Sequence, residues 1–347
     1  LRYYDIAISQ PGPGGLTYQT GNGLGFTLGN GGTTFTSLLP NGQTNPNALQ
    51  VEFDFPVSNV HQPTGQFFAR IWGVGLPMIG QASQLAGMDI VIRAGMKKGL
   101  PLANPDQSGI ILEGSIFQSY GNWIGAEQHI DLVFNSNESV PDVKFSSYWN
   151  PGTPAIDFIT RTLNASFPGF AVVPNIIATL TPPSSAFFFY QDFTAFAQWV
   201  EEYTQKIGAQ WSGNPLYPGV RMRLRSSSKK IYVFDNPDQN HNIAFQDLIG
   251  QPTWIGPNQM NFKTVLRADI DVGNSITFPQ GVQQPFAITA TQTSPGAPAS
   301  SKTVFQGMFE VNKIHHFANF RQPDSMSWNT TFDVSAIPKI KKTLGPP

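Results

Sequence analysis

Apolar and polar residues alternate with period two through much of this chain, in short runs broken by Gly, Pro and Asn. Val51, Phe53 and Phe55 alternate with Glu52 and Asp54, so residues 49–57 read as a strand with one buried face. Residues 1–9, 66–73 and 88–94 follow the same rule. The longest run spans 302–320. A turn at Arg321–Ser325 leads from it into a second alternating run, 327–336. A similar pair lies earlier, where 109–122 leads through a short loop into 127–134. In each pair a Gly is followed two residues on by a large apolar residue, Gly114 by Ile116 and Gly307 by Phe309. Two similar hairpins predict two copies of one small β-domain.

Helical periodicity is confined to a few places. Ile156, Ile159 and Leu163 mark a helix within 154–165 that ends near Pro168. Phe193, Phe196, Val200, Tyr203 and Ile207 repeat as 3-4-3-4, predicting a helix over 192–207 with Asp192 as N-cap and Gly208 as its C′ residue. Residues 77–85 read as a short helix with Pro in its first turn. Residues 220–225 and 230–235 form a predicted hairpin. Further on, 242–248 holds a short helical turn, 253–268 one or two strands, and 275–278 another. The fold class is therefore mainly β with an α+β middle domain. The expected domains are 1–135, with a Gly/Asn-rich loop region at 11–48; the middle domain 136–235; the second β-domain 236–338; and a tail, 339–347. Residues 280–301 form a polar loop long enough to be functional or disordered.

Composition sharpens this picture. Charged residues are 12% of the 347, about half the usual share of roughly 25%. A surface so poor in charge suits permanent contact with partner subunits. Phe is abundant at 27, and Phe187–Tyr190 is a wholly aromatic run; ordinary core packing competes here with a subunit interface. The net charge of −1 leaves no basic footprint for sequence-specific nucleic-acid binding. The 33 Gly and 29 Pro favour short strands over long helices. Cysteine is absent, which excludes disulfides and thiolate metal sites. No apolar run approaches the roughly 18 residues of a membrane span, so no membrane anchor is expected. The strand-like start argues against a signal peptide, and the missing initiator Met suggests a processed start.

Candidate chemistry is sparse. The Gly clusters spell turns, because neither dinucleotide-binding nor phosphate-loop spacing occurs. No hydrolase elbow is present. His61, His129, His241, His315 and His316 show no metal-ligand spacing. His315 and His316 are adjacent in a strand, so one should face the interior or an interface and the other solvent. A pH switch is conceivable there. Asp235–Asn240 lacks the Gly and Glu of a calcium loop and reads as a turn between domains. Asp269 and Asp271 read as surface carboxylates on one strand face, and Glu201–Glu202 as a solvated helix face. No catalytic, cofactor-binding or metal residue is assigned. The structural or interface candidates are Gly114, Ile116, Gly307, Phe309, Phe317, Phe320 and Trp328.

Several runs carry a family resemblance. Residues 94–105 and Gly114–Trp123 resemble the first half of the central hub protein of phage baseplates. Phe245–Trp254, Phe262–Asp269 and Phe305–Arg321 resemble its second half. The likeness spans roughly 50–337 and includes no catalytic signature. Such hubs, like the hub part of type VI secretion spikes, carry two tube-type β-barrels per chain. The resemblance implies a homotrimer with six similar domains in a pseudo-sixfold ring, joining the sixfold tail tube to the threefold central spike. Its implied partners are the tail tube protein, the spike protein and other baseplate proteins, with DNA only in transit through the bore. Its implied place is the virion tail baseplate, assembled in the host cytoplasm. One rival is a polysaccharide-active tail enzyme using Glu113, Glu127 or Asp131. Another is a monomeric host-surface binding module. The hub reading requires the hairpins 105–135 and 300–337 to share one topology.

Overall fold

The computed structural model describes residues 1–9, 33–57, 66–97, 104–136, 143–176, 178–212, 217–225, 229–235, 239–256, 258–278 and 307–337. Most of the Gly/Asn-rich tract, the polar loop at 280–301, the tail and the first residues of the run beginning at 302 lie outside them. The strands, in chain order, begin with β1 (Arg2–Ser9), β2 (Thr33–Thr36), β3 (Gln50–Val57) and β4 (Gln66–Trp72). Helix α1 (Leu76–Gln81) and a 3-10 turn (Ala82–Leu85) precede β5 (Asp89–Met96), β6 (Gly109–Ile124) and β7 (Glu127–Ser136). Next come β8 (Phe145–Trp149), α2 (Ala155–Ser166), β9 (Ala171–Asn175), β10 (Ala186–Tyr190), α3 (Phe193–Ser212), β11 (Arg221–Arg225) and β12 (Lys230–Phe234). The chain closes with β13 (Asn240–Asn242), a 3-10 turn (Phe245–Asp247), β14 (Thr253–Gly256), β15 (Gln259–Val265), β16 (Ser275–Thr277), β17 (Met308–Asn319) and β18 (Trp328–Ala336).

The chain divides into two units. One gathers Leu1–Ser58, Thr64–Asn137 and His241–Ala336; the other is built mainly from Glu138–Asn240. In the first unit, strands from both β segments share one 13-stranded sheet. Its main path runs β14-β15-β18-β17-β3-β4-β7-β6-β5-β1-β2, with β16 pairing β13 and β17. The two β segments are thus not separate sheets: β17 of the second pairs β3 of the first. Alternation decides which face is inside. Val51, Phe53, Phe55, Phe67, Ala69, Ile71, Ile130, Leu132 and Phe134 are all buried in one core. A one-residue slip of any of these strands would expose its whole apolar set.

The second unit is α+β. It contains an antiparallel pair, β10-β8, and a three-stranded sheet, β11-β12-β9, in which β9 lies parallel to β12. Its core includes Trp149 stacked on Phe158 at 4.7 Å between ring centres. The Phe187–Tyr190 run alternates as a strand should: Tyr190 is buried, while Phe187 and Phe189 are exposed. Asp192 caps α3, accepting from the Ala195 N–H at 2.8 Å. Gly208 does not end this helix, which continues to Ser212. The glycine serves packing instead, since a Cβ there would lie 2.3 Å from the Tyr217 ring. Asp235, expected to open a turn, is buried and accepts hydrogen bonds from the Tyr217 hydroxyl and the Ala178 N–H.

Candidate functional site

The first unit contains one four-stranded motif twice. The first copy is β3-β4-β7-β6; the second is β14-β15-β18-β17. The likeness extends to register. In β6 the pairing with β7 is interrupted between Ile116 and Gln118; in β17 the pairing with β18 is interrupted between Val311 and Lys313. Each irregularity is held by the same backbone device. The Gly87 N–H donates to the Ile116 carbonyl (2.8 Å) and the Ile116 N–H to Met88 (2.8 Å). The Gly273 N–H donates to Val311 (2.8 Å) and the Val311 N–H to Asn274 (2.9 Å). Gly87 and Gly273 both sit at positive φ, 83° and 87°, where only glycine is comfortable. β5 and β16 then begin at equivalent places, with Ile90 opposite Gly114 and Ile276 opposite Phe309.

This register corrects one expectation. Ile116 corresponds to Val311, and Gly114 to Phe309; the apparent match of Gly114 with Gly307 is displaced by two residues. The β-bulge, not the glycine, is the repeated mark. A bulge leaves one residue unpaired and twists its strand, a backbone feature with no fixed residue signature.

The joint between the copies has six antiparallel pairs, from Ile314 opposite Val57 to Asn319 opposite Glu52. Side chains reinforce it. Asn319 donates to Glu52 (2.9 Å) and accepts from Gln50 (2.6 Å). His315 hydrogen-bonds Asp54 across it. The Arg321 N–H donates to the Gln50 side chain (2.8 Å), and its guanidinium to the Ala48 carbonyl (2.5 Å). The turn after β17 docks on the first copy. Tyr4 meets Phe320 edge-on at 4.8 Å, Trp328 lies 6.0 Å from Phe53, and the Trp328 indole N–H donates to Gly95 (3.1 Å). Arg2 clamps the same turn. Its guanidinium donates to the carbonyls of Asn319 (2.8 Å), Phe320 (3.3 Å) and Asp324 (2.5 Å), and also to Gln322.

The seven candidates fall in different places. Ile116 and Phe309 are buried, one in each copy; Phe320 and Trp328 pack in the core of the first copy, although the second copy supplies them. Phe317 faces outward opposite Asp54. Gly114 lies within β6, and Gly307 just before β17 at φ 125°. Arg2, Gln50 and Asn319 join this seam without any sequence motif of their own. They sit at polar positions of alternating strands, and nothing local distinguishes them from solvated residues.

His315 is half-buried on the outer face and His316 buried, as adjacent strand residues require. His316 accepts or donates at Nδ1 with the Thr330 hydroxyl (3.0 Å). Burial depresses its pKa to about 4; Asp271 opposes the shift and His315 adds to it. Nearby, Arg267 is buried and grips Asp269 with two hydrogen bonds (2.7 and 2.6 Å), with Asp247 3.5 Å away. Asp269 and Asp271 are therefore not surface carboxylates on a strand: neither lies in a strand, and the buried guanidinium holds Asp269.

The face opposite the core carries charges of both signs beside the exposed Phe68, Tyr120 and Phe317. A row runs Glu52, Arg70, Asp131 across three strands. Arg70 binds Asp131 through two hydrogen bonds (2.5 and 3.1 Å), and Asn122 donates to the same carboxylate (2.9 Å). That pairing raises the Arg70 pKa. Asp131, one of the carboxylates considered for glycan chemistry, is thus already committed. The second copy contributes Lys263, Lys313 and Asp333 to the corresponding face. No cluster of three or more His, Cys, Asp or Glu residues that could hold a metal occurs among the described residues. No helix among them is long and apolar enough to cross a membrane.

Solved structures similar to this chain are known. The 43 kDa tail protein of prophage MuSo2 from Shewanella oneidensis matches with a TM-score of 0.52 at 7% identity, covering 97% of each chain. A tail protein from Neisseria meningitidis matches at TM-score 0.47 and 9% identity over 98% of each chain. The Escherichia coli c3393 protein, described as a type VI secretion component similar to T4 tail proteins gp27 and gp5, matches at TM-score 0.44 and 10% identity, over 86% of this chain and 75% of its own. No protein-family model matches this chain, and no curated protein matches it by sequence. The fold of this chain is that of the prophage tail protein.

Proposed function

We propose that this chain is a structural hub of a phage tail baseplate or a related injection machine. Three copies present six equivalent four-stranded units in a ring and join a sixfold tail tube to a threefold central spike. The duplication carries this reading, because two like units joined edge to edge in one chain are what three chains need to match six subunits. On this reading, 1–135 and 236–338 supply the two units, and 136–235 contributes to contacts with other baseplate proteins. The outward face of the sheet lines the bore. Its carboxylates Glu52, Asp54, Asp131 and Asp333 stand among the cations Arg70, Lys263 and Lys313, so the lining is close to charge balance. A strongly basic lining would retain DNA phosphates through counterion release; a balanced one lets DNA pass. The role is non-enzymatic, and the place is the virion tail, assembled in the host cytoplasm.

Averaged images of purified particles test this directly. Threefold density with sixfold pseudo-symmetry is expected at the level of this chain. A monomer at the tail tip, or a ring of six chains, would overturn it.

A further inference from the structure

Two sheet edges in this chain lack a strand partner among the described residues, and they are complementary. β6 is covered by β5 only along its first half, and the last contact is the bond between Gly87 and Ile116. Its outer half, from Phe117 to Ile124, pairs β7 on one side alone. β14 ends the main strand path, with β15 as its sole neighbour there. Both edges carry apolar side chains: Tyr120 is 48% exposed and Ile255 56%. Open apolar edges of this kind invite aggregation unless another strand covers them.

The chain contains its own template for the missing partner. β17 is the counterpart of β6, and β3 the counterpart of β14. The outer half of β17 is covered by β3. Aligning the bulges equates Gly121 with His316 and Asn122 with Phe317. Asp54 pairs Phe68 and Thr253 pairs Asn261; those two neighbours lie opposite Val133 and Asp333, equivalent positions of the two hairpins. Asp54 therefore corresponds to Thr253, and Phe55 to Trp254. In the joint within the chain, His316 lies opposite Phe55 and Phe317 opposite Asp54.

We infer that the outer half of β6 pairs antiparallel with β14 of a second copy of this chain, with Gly121 opposite Trp254 and Asn122 opposite Thr253. This rests on the hub reading and supplies its contact between chains. β14 has 4 residues where β3 has 8, so the joint between copies is shorter than the one within each chain. The α1 helix packs on the core side of Gly121, where a Cβ would lie 2.4 Å from the Ile79 carbonyl; β14 adds at the edge, in the plane of the sheet.

The chain has no cysteine, so an Asn122→Cys, Thr253→Cys variant of the full chain holds two thiols only. Directly opposed residues put their Cα atoms about 5 Å apart, within disulfide reach. After mild oxidation, denaturing gels without reductant should show covalent dimers and trimers. Yields should exceed those of the register-shifted Asn122→Cys, Ile255→Cys variant by about tenfold, since shifted pairs lie roughly 7–8 Å apart. Light scattering on the unoxidised protein gives the mass independently. A trimer without the bond, or with equal yield from the shifted pair, overturns this joint and leaves the hub reading standing. A monomer at every concentration, with no crosslink, overturns both. A second variant avoids thiols: Tyr120→Glu alters a residue exposed in the single chain and within the span that β14 would cover. It should weaken association at least about tenfold. Unchanged association would also overturn the joint.

Discussion

Replacing His316 by Gln isolates the effect of one buried imidazole on acid stability. His316 lies in the core of the second copy, bonded to Thr330, with Asp271 and His315 as its charged or titratable neighbours. Burial lowers its pKa from 6.5 to about 4 in the folded chain. The unfolded chain then binds a proton that the folded chain refuses between those values, so stability falls as pH drops from about 6.5 towards 4. With these values the linkage at pH 5 is about 2 kcal/mol, rising to about 3 kcal/mol below pH 4. Urea unfolding of the wild type and His316→Gln at pH 7 and pH 5 reads the difference. Gln does not titrate, so the variant should lose about 2 kcal/mol less than the wild type over this interval. The variant's stability at pH 7 is not the readout, because the lost Thr330 contact also enters there. Parallel pH dependences would refute the claim that His316 is held neutral by burial.

Arg2→Ala should cost about 2–3 kcal/mol in chemical unfolding, because it leaves several carbonyls of the turn after β17 without their charged donor. Arg2→Lys should recover little of that, since an ammonium lacks the planar fork that reaches those carbonyls together. Gly121→Ala forces a methyl against the Ile79 backbone carbonyl and should destabilise by about 1–3 kcal/mol, measured in the same assay. Phe262 stacks on Phe332 at 4.9 Å and meets Phe278 edge-on at 5.0 Å, so Phe262→Ala should cost about 3–5 kcal/mol. A loss under about 1 kcal/mol in a fully buried ring would contradict the packing described.

Much of the local structure was legible in the residue pattern. The alternation of Val51, Phe53 and Phe55 against Glu52 and Asp54 marked the strand and its inner face. Both hairpins were visible because each pairs strands adjacent in sequence across a short turn. Helix α3 was visible from its apolar stripe and its Asp192 cap. These features follow from side-chain period and local hydrogen bonding, which neighbouring residues determine. The end of α3 was not legible, because Gly208 is a helix terminator by propensity and a contact surface for Tyr217 by packing.

Residue pattern alone reveals which side chains turn inward and that a hairpin occurs twice. How the two copies meet depends on long-range pairing. Strand pairing uses backbone N–H and C=O groups, which every residue carries alike, so β17 has no local mark that names β3 as its partner. The partner is selected where the apolar faces of both strands close over common cores and where Gln50, Glu52 and Asn319 find each other across the seam. Arg267 follows the same logic. Its guanidinium is buried, and folding places the carboxylates of Asp269 and Asp247 around it, which makes that burial tolerable.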